Sequence, residues 1–98
     1  MYQVDFLPSA YKEWEKLPGS VRDRFTKVLK RRREQPRIRK DKLSGYEDVY
    51  KVKITSPQYR LVYKVNEERI VIEVVGVAPR DKIYSYLGDR VAKGLQGE

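Results

Sequence analysis

The chain has 98 residues, a length typical of one domain, and 40% of them are hydrophobic. It carries 22 Lys and Arg against 14 Asp and Glu, a formal net charge of +8, so polyanions are the expected partners. The lack of cysteine and histidine excludes disulfide frameworks, zinc ribbons, thiol nucleophiles and imidazole catalysis. No apolar run approaches the roughly 18 residues of a membrane span, and the first residues lack signal-peptide features. We therefore expect residues 1–98 to form one cytoplasmic domain without membrane contact.

The first residues show the alternating pattern of a strand. Tyr2, Val4 and Phe6 are separated by polar residues, as in a half-buried strand. Pro8 interrupts this pattern, and Ser9 is the expected N-cap of a helix.

Two helices are expected next. Apolar residues recur at helical spacing up to Pro18-Gly19, which ends the first helix. Ser20 is the expected N-cap of the second, with Asp23 as its capping-box partner. The apolar stripe of this helix ends before Pro36, so the two helices should form an αα-hairpin.

The second half predicts three strands and a final helix. Residues 49–54 and 59–65 alternate, and residues 70–77 form an almost continuous apolar run, with turns at 55–58 and 66–69. The last helix is indicated by apolar residues at intervals of four, which are Ile83, Leu87, Val91 and Leu95. Gly88 and Gly94 weaken it, so we expect it to be mobile. The order β-α-α-β-β-β-α predicts an α+β fold with a four-stranded antiparallel sheet.

The first hairpin places cations on one face of this sheet. If Ile54 pairs with Tyr59, Lys53 lies opposite Arg60, and Lys51 shares their face. Cations this close repel each other, so the cluster is either a solvated surface or a site for an anion.

The second hairpin adds a carboxylate to this face. If Val65 pairs with Ile70, Glu73 lies beside Val62 on the same surface. Glu73 is then either a local counter-charge or a catalytic carboxylate.

A basic segment between residues 27 and 42 contains nine cations and only two acidic residues, and so carries nearly all of the net charge. The cations are Lys27, Lys30, Arg31, Arg32, Arg33, Arg37, Arg39, Lys40 and Lys42. Such density suits contact with a phosphate backbone, although it is also compatible with a merely soluble surface.

Several motifs resemble the RelE toxins of bacterial and archaeal toxin–antitoxin pairs, which are ribosome-dependent messenger-RNA endonucleases. The specific part is Lys51-x-Lys53 followed by Tyr59-Arg60-Leu61-Val62-Tyr63. Further matches, in the family's order, include Lys12-Glu13-Trp14, Pro36-Arg37-Ile38 and Arg80 after the last strand. The resemblance covers nearly the whole chain.

The resemblance implies an active site and its chemistry. The catalytic positions of the family correspond to Lys51, Lys53, Arg60 and Arg80. The family's tyrosine near the C-terminus corresponds to Tyr86 if the chain is counted from Arg80 without a gap. It corresponds to Tyr84 if the connection after Arg80 is shorter. The implied reaction is attack of a ribose 2′-hydroxyl on the adjacent phosphate, without metal or cofactor. Neighbouring cations favour a neutral lysine, so either lysine could be the base.

The implied partners are messenger RNA and 16S rRNA in the A site of the 30S subunit or 70S ribosome. The resemblance also implies an acidic RelB-like antitoxin, and a complex of toxin and antitoxin that binds operator DNA.

Two alternative functions stay open. ParE toxins share this fold and inhibit DNA gyrase without an RNase site, although the four cations together argue against that reading. A plain RNA-binding module would explain the basic segment alone.

Overall fold

The structure, a computed structural model, describes the backbone of residues 1–95 and the side chains of residues 1–92. Its elements, in chain order, are β1 (Gln3–Phe6), α1 (Pro8–Glu15), α2 (Gly19–Arg32), a 3₁₀ turn (Arg39–Asp41), β2 (Val49–Thr55), β3 (Gln58–Asn66), β4 (Val71–Pro79) and α3 (Arg80–Leu95). This order confirms the α+β arrangement expected from the sequence.

The four strands form one sheet in the order β1-β4-β3-β2. The expectation of a fully antiparallel sheet is wrong, because β1 pairs with β4 in parallel. The connection after α2 explains this direction. The N–H of Tyr2 donates to the carbonyl of Arg33 at 2.8 Å, so α2 ends beside the start of β1. The chain therefore enters β2 from the end at which β1 begins, and two hairpins then make β4 parallel to β1.

Neither helix of the αα-hairpin uses the expected serine cap. α1 begins at Pro8 and α2 at Gly19, with Leu7 and Pro18 as the N-cap residues and no side-chain cap hydrogen bond. Ser9 and Ser20 therefore lie inside the first turns, and Asp23 forms no capping box. Proline suits the first turn of α1 because its φ is already helical and it has no N–H to satisfy.

The first hairpin has the expected register. Ile54 pairs with Tyr59, and Lys53 pairs with Arg60. Lys51 lies on the same face as this second pair, because side chains alternate along a strand.

The second hairpin does not have the expected register. Val65 pairs with Ile72 instead of Ile70, because the turn occupies residues 67–70. A bulge adds a further shift near Val62, which pairs with Gly76. Glu73 lies opposite Lys64, so its expected position beside Val62 is wrong.

Helices cover both faces of the sheet. α2 packs on the face that carries Tyr63, whose ring lies 5.8 Å from the guanidinium carbon of Arg32. α3 packs on the opposite face, where a Cβ at Gly76 would lie only 3.0 Å from the Cδ1 of Ile83. Three of the four apolar positions predicted for α3 are buried, namely Ile83, Leu87 and Val91. The side chain of Leu95 lies outside the described residues.

Candidate active site

Three cations occupy the α3 face of the sheet at the end formed by the first hairpin. Lys53 is exposed, Lys51 is half-buried, and Arg60 is 9% exposed. The Nη1 of Arg60 donates to the carbonyl of Ile54 at 3.3 Å and to that of Tyr59 at 3.1 Å. These bonds fix the guanidinium against the hairpin backbone, next to Lys53.

Arg80 joins the same end of the sheet. It is the first residue of α3, it is exposed, and its Nη1 donates to Oε1 of Gln58 at 3.2 Å. Gln58 begins β3, two residues before Arg60. The preceding turn is tied to α2, because Nη1 of Arg24 donates to the carbonyl of Ser56 at 2.6 Å. Sequence reasoning missed Gln58 and Arg24, since neither belongs to a motif.

The two tyrosines of α3 point to different sides of the helix. Tyr86 lies against β4, and its hydroxyl donates to Oε2 of Glu13 on α1 at 2.8 Å. The guanidinium carbon of Arg90 lies 4.1 Å from its ring centroid. Tyr84 is 45% exposed and lies one turn before Gly88, where a Cβ would be 3.5 Å from the Tyr46 hydroxyl. Because Tyr84 and Gly88 share one face of the helix, Tyr84 lies on a different face from Tyr86.

Glu13 is the centre of the contacts that anchor α3. It forms an ion pair with Arg90 at 2.9 Å and accepts the N–H of Val77 at 3.0 Å. Burial alone would raise the pKa of Glu13, but the hydrogen bonds it accepts outweigh burial and lower the pKa. Burial, followed by the neighbouring Glu13 carboxylate, raises the pKa of Tyr86. This tyrosine is therefore a neutral donor in a structural cluster.

One cation of the basic segment, Arg32, is only 8% exposed. Its Nη2 pairs with Oδ2 of Asp41 at 2.8 Å, and its Nη1 donates to the hydroxyl of Tyr63 at 2.8 Å. The guanidinium of Arg32 is therefore committed to internal partners, and its contact with RNA stays a prediction.

Arg33 and Arg37 have internal partners as well. The Nε of Arg33 donates to the Tyr2 carbonyl at 2.8 Å. Arg37 pairs with Asp48 at 2.9 Å and with Glu67 at 3.0 Å, and its guanidinium is the first cause of the lowered pKa of Asp48. RNA contact by these two residues stays a prediction. The remaining six cations are exposed, which are Lys27, Lys30, Arg31, Arg39, Lys40 and Lys42.

The residues that the structure describes contain neither a metal-site cluster nor a membrane-spanning helix. No cluster of three or more acidic side chains with the geometry of a metal site occurs among them. None of the helices in this part of the chain has the length and apolar character that a membrane span requires.

Comparison with known protein families matches residues 4–84 to the family described as "ParE toxin of type II toxin-antitoxin system, parDE". The chain, with its mixed sheet and cationic face, therefore belongs to the class of type II toxins.

Individual relatives narrow this class. The mRNA interferase toxin RelE of Escherichia coli strain K12 is 42% identical over 92 residues, covering 92% of this chain and 97% of that protein. A structure of E. coli RelE with two arginines mutated to alanine, in the free state, has a TM-score of 0.85 and 39% identity, covering 94% of this chain and 96% of that chain. RelE in the intact E. coli RelBE toxin–antitoxin complex has a TM-score of 0.79 and 44% identity, covering 81% of this chain and 96% of that chain. The chain belongs to the RelE toxins of the RelE/ParE family.

Proposed function

We propose that this chain is a cytoplasmic endoribonuclease toxin that cleaves messenger RNA in the ribosomal A site. The observation that carries the proposal is the meeting of Lys51, Lys53, Arg60 and Arg80 at one end of one sheet face. The similar E. coli protein is named an mRNA interferase, which supports RNA cleavage as the reaction.

The positions of these groups suit attack of a ribose 2′-hydroxyl on the adjacent phosphate. Lys51 or Lys53 takes the proton from that hydroxyl, because the half-buried Lys51 and the exposed Lys53 lie on the face that also carries Arg60. Arg60 and Arg80 bind the phosphate oxygens and stabilise the charge that develops there. The bond between phosphorus and the 5′-oxygen breaks, and this oxygen takes a proton from solvent water, which gives a 2′,3′-cyclic phosphate and a free 5′-hydroxyl.

Tyr84 is the tyrosine that stacks on a base next to the cleaved bond. Its ring is 45% exposed, whereas Tyr86 is held by Glu13 and Arg90. This geometry favours Tyr84, which corresponds to the family's tyrosine if the connection after Arg80 is shorter, over Tyr86.

In this proposal the ribosome supplies a bent RNA strand, which the site cannot impose by itself. Lysine and arginine are weak acids, so the reaction depends on an RNA strand already bent for in-line attack. Exposed cations of the basic segment, namely Lys27, Lys30, Arg39 and Lys42, hold the protein on 16S rRNA through phosphate contacts.

A RelB-like antitoxin is the proposed inhibitor, and the resulting complex binds operator DNA. E. coli RelE is found with its antitoxin in the RelBE complex. With a net charge of +8 on this chain, an acidic antitoxin segment is the complementary partner.

Inhibition of DNA gyrase is the second candidate function, because the matching family is described as the ParE toxins. A supercoiling assay with purified gyrase separates it from messenger cleavage. Inhibition of supercoiling without any cleaved messenger would favour the ParE activity.

The main test maps messenger cleavage on translating ribosomes. We expect wild-type protein to cut within the A-site codon, and Arg80→Ala to lose at least about 100-fold in rate because a phosphate clamp is gone. Arg80 is exposed, so the variant should keep the wild-type melting temperature.

The matched control for this test is Lys12→Ala, which removes one exposed cation from α1 and should leave the rate unchanged. Wild-type cleavage by a folded Arg80→Ala protein would remove this arginine from the mechanism. No cleavage by the wild type would end the ribonuclease proposal.

A further inference from the structure

A groove of about 500 Å³ lies along the outer edge of β2. One wall comes from α2 and the 3₁₀ turn, and contributes Arg31 and Lys40. The other wall is β2 itself, and contributes Lys51 and Lys53. Because β2 is the last strand of the sheet, its two lysines border both the cleavage face and this groove.

Positive charge predominates in the lining of the groove. Arg31, Lys40 and Lys53 are exposed, and none of them forms an ion pair with a side chain that the structure describes. The only carboxylate of the lining is that of Asp41, which is already paired with the buried Arg32 at 2.8 Å. Four cationic side chains thus converge on one cleft that is open to solvent.

Hydrogen bonds hold the two walls of the groove at a fixed spacing. Arg32 joins its walls, since its guanidinium pairs with Asp41 of the 3₁₀ turn and donates to the Lys51 carbonyl at 3.4 Å. The same guanidinium bonds the hydroxyl of Tyr63, which in turn donates to the carbonyl of Pro36 at 2.5 Å. Buried hydrogen bonds of this kind fix the spacing between α2, the turn and β2.

We propose that this groove is a second phosphate site for the messenger strand, and that it holds the nucleotides adjoining the cleaved bond. The inference rests on the proposed ribonuclease function. A strand whose scissile phosphate lies near Lys53 and Arg60 reaches the groove by crossing the edge of β2. The volume accommodates single-stranded nucleotides, and cations without base-reading groups bind the backbone irrespective of sequence.

The experiment measures binding of fluorescent RNA oligonucleotides of two and six nucleotides, each with a single 2′-deoxy position to prevent cleavage. Wild-type protein should bind the longer oligonucleotide more tightly and with a steeper salt dependence, because additional phosphates enter the groove. Arg31→Ala/Lys40→Ala should lose that gain. Its slope of log K against log salt should fall by about 1.4, which corresponds to two phosphate contacts on a single strand.

The matched control is Lys12→Ala/Arg69→Ala, which removes the same charge from exposed positions outside the groove. Wild-type length dependence in the groove variant, or an equal loss in the control, would overturn the proposal. So would a groove variant that keeps oligonucleotide binding but loses affinity for ribosomes, because the groove would then hold ribosomal RNA.

Cleavage of messenger on ribosomes by the wild type is measured in parallel. Its absence would count against the ribonuclease function, whereas the oligonucleotide comparison decides the groove independently.

Discussion

Arginines of similar sequence context have different structural roles in this protein. Arg31 and Arg32 are neighbours on α2, yet Arg31 is exposed and Arg32 is 8% exposed, with Asp41 and Tyr63 as partners. Helical geometry turns adjacent side chains by about 100°. One residue therefore faces the solvent and the other the sheet, which a count of positive charges cannot distinguish.

The contrast between exposed and internally bonded side chains also predicts different roles for the two tyrosines of α3. Tyr84→Ala should lower messenger cleavage by about 5- to 150-fold, because the loss of a base-stacking ring costs about 1–3 kcal/mol. Its melting temperature should stay near wild type, since the ring is 45% exposed. Tyr86→Phe should instead lower the free energy of unfolding by about 1 kcal/mol, because the bond to Glu13 is lost.

Cleavage rates and urea unfolding of both variants test this assignment. The reverse pattern, in which Tyr86→Phe keeps its stability but loses cleavage, would make Tyr86 the site tyrosine.

At the scale of elements, α3 is held by more than its apolar stripe. Gly88 within it costs about 1 kcal/mol of helix stability relative to alanine. The helix nevertheless buries Ile83, Leu87 and Val91, and its Arg90 is joined to Glu13 of α1. This ion pair links the last helix to the first, so part of the docking depends on a titratable group. The expected mobility of α3 stays a prediction.

The lowered pKa of Glu13 makes this link dependent on pH. A carboxylate whose pKa is lower in the folded state adds stability above its ordinary value of 4.5, and that stability is lost as the pH falls through the folded pKa. At pH 7, Glu13→Gln should therefore be less stable than wild type by about 1–3 kcal/mol. The difference should shrink as the pH approaches 3.

Urea unfolding of both proteins between pH 7 and pH 3 measures this difference. Other carboxylates titrate in both proteins, so the subtraction isolates Glu13. A stability gap that stays constant across the range would show that the ion pair contributes nothing to α3 docking.

At the scale of the whole molecule, we expect an antitoxin and α3 to compete for one surface. α3 covers part of the face that carries Lys51 and Arg60, and Tyr84 moves with it. An amphipathic antitoxin helix with a stronger apolar face would displace α3 from the sheet and carry this tyrosine away from the cations. Inhibition would then need no contact with every residue of the site.

Amide hydrogen exchange over residues 81–95, with and without a RelB-like antitoxin, tests this competition. We expect faster exchange in this segment on complex formation while the sheet gains protection. The variant Glu13→Gln is a useful comparison, because a weaker link should let a lower antitoxin concentration displace the helix. Increased protection over residues 81–95 would show that α3 stays docked, and that inhibition works by covering the site.

The sequence alone determined the order of the elements and the cationic face of the first hairpin. Both depend on local information, because strand alternation and a short turn fix which side chains share a face. Lys51, Lys53 and Arg60 could therefore be placed together before the fold was known. Matching to a family then added Arg80, whose position depends on where the last strand ends.

Only the tertiary structure decided the features that depend on distant residues. The parallel pairing of β1 follows from where α2 ends, and the register of the second hairpin follows from the turn at residues 67–70 and a bulge in β4. The burial of Arg32 depends on Asp41 and Tyr63, and the role of Tyr86 on Glu13, 73 positions away. Such contacts produce no periodic pattern in the sequence, because each partner taken alone is an ordinary polar residue.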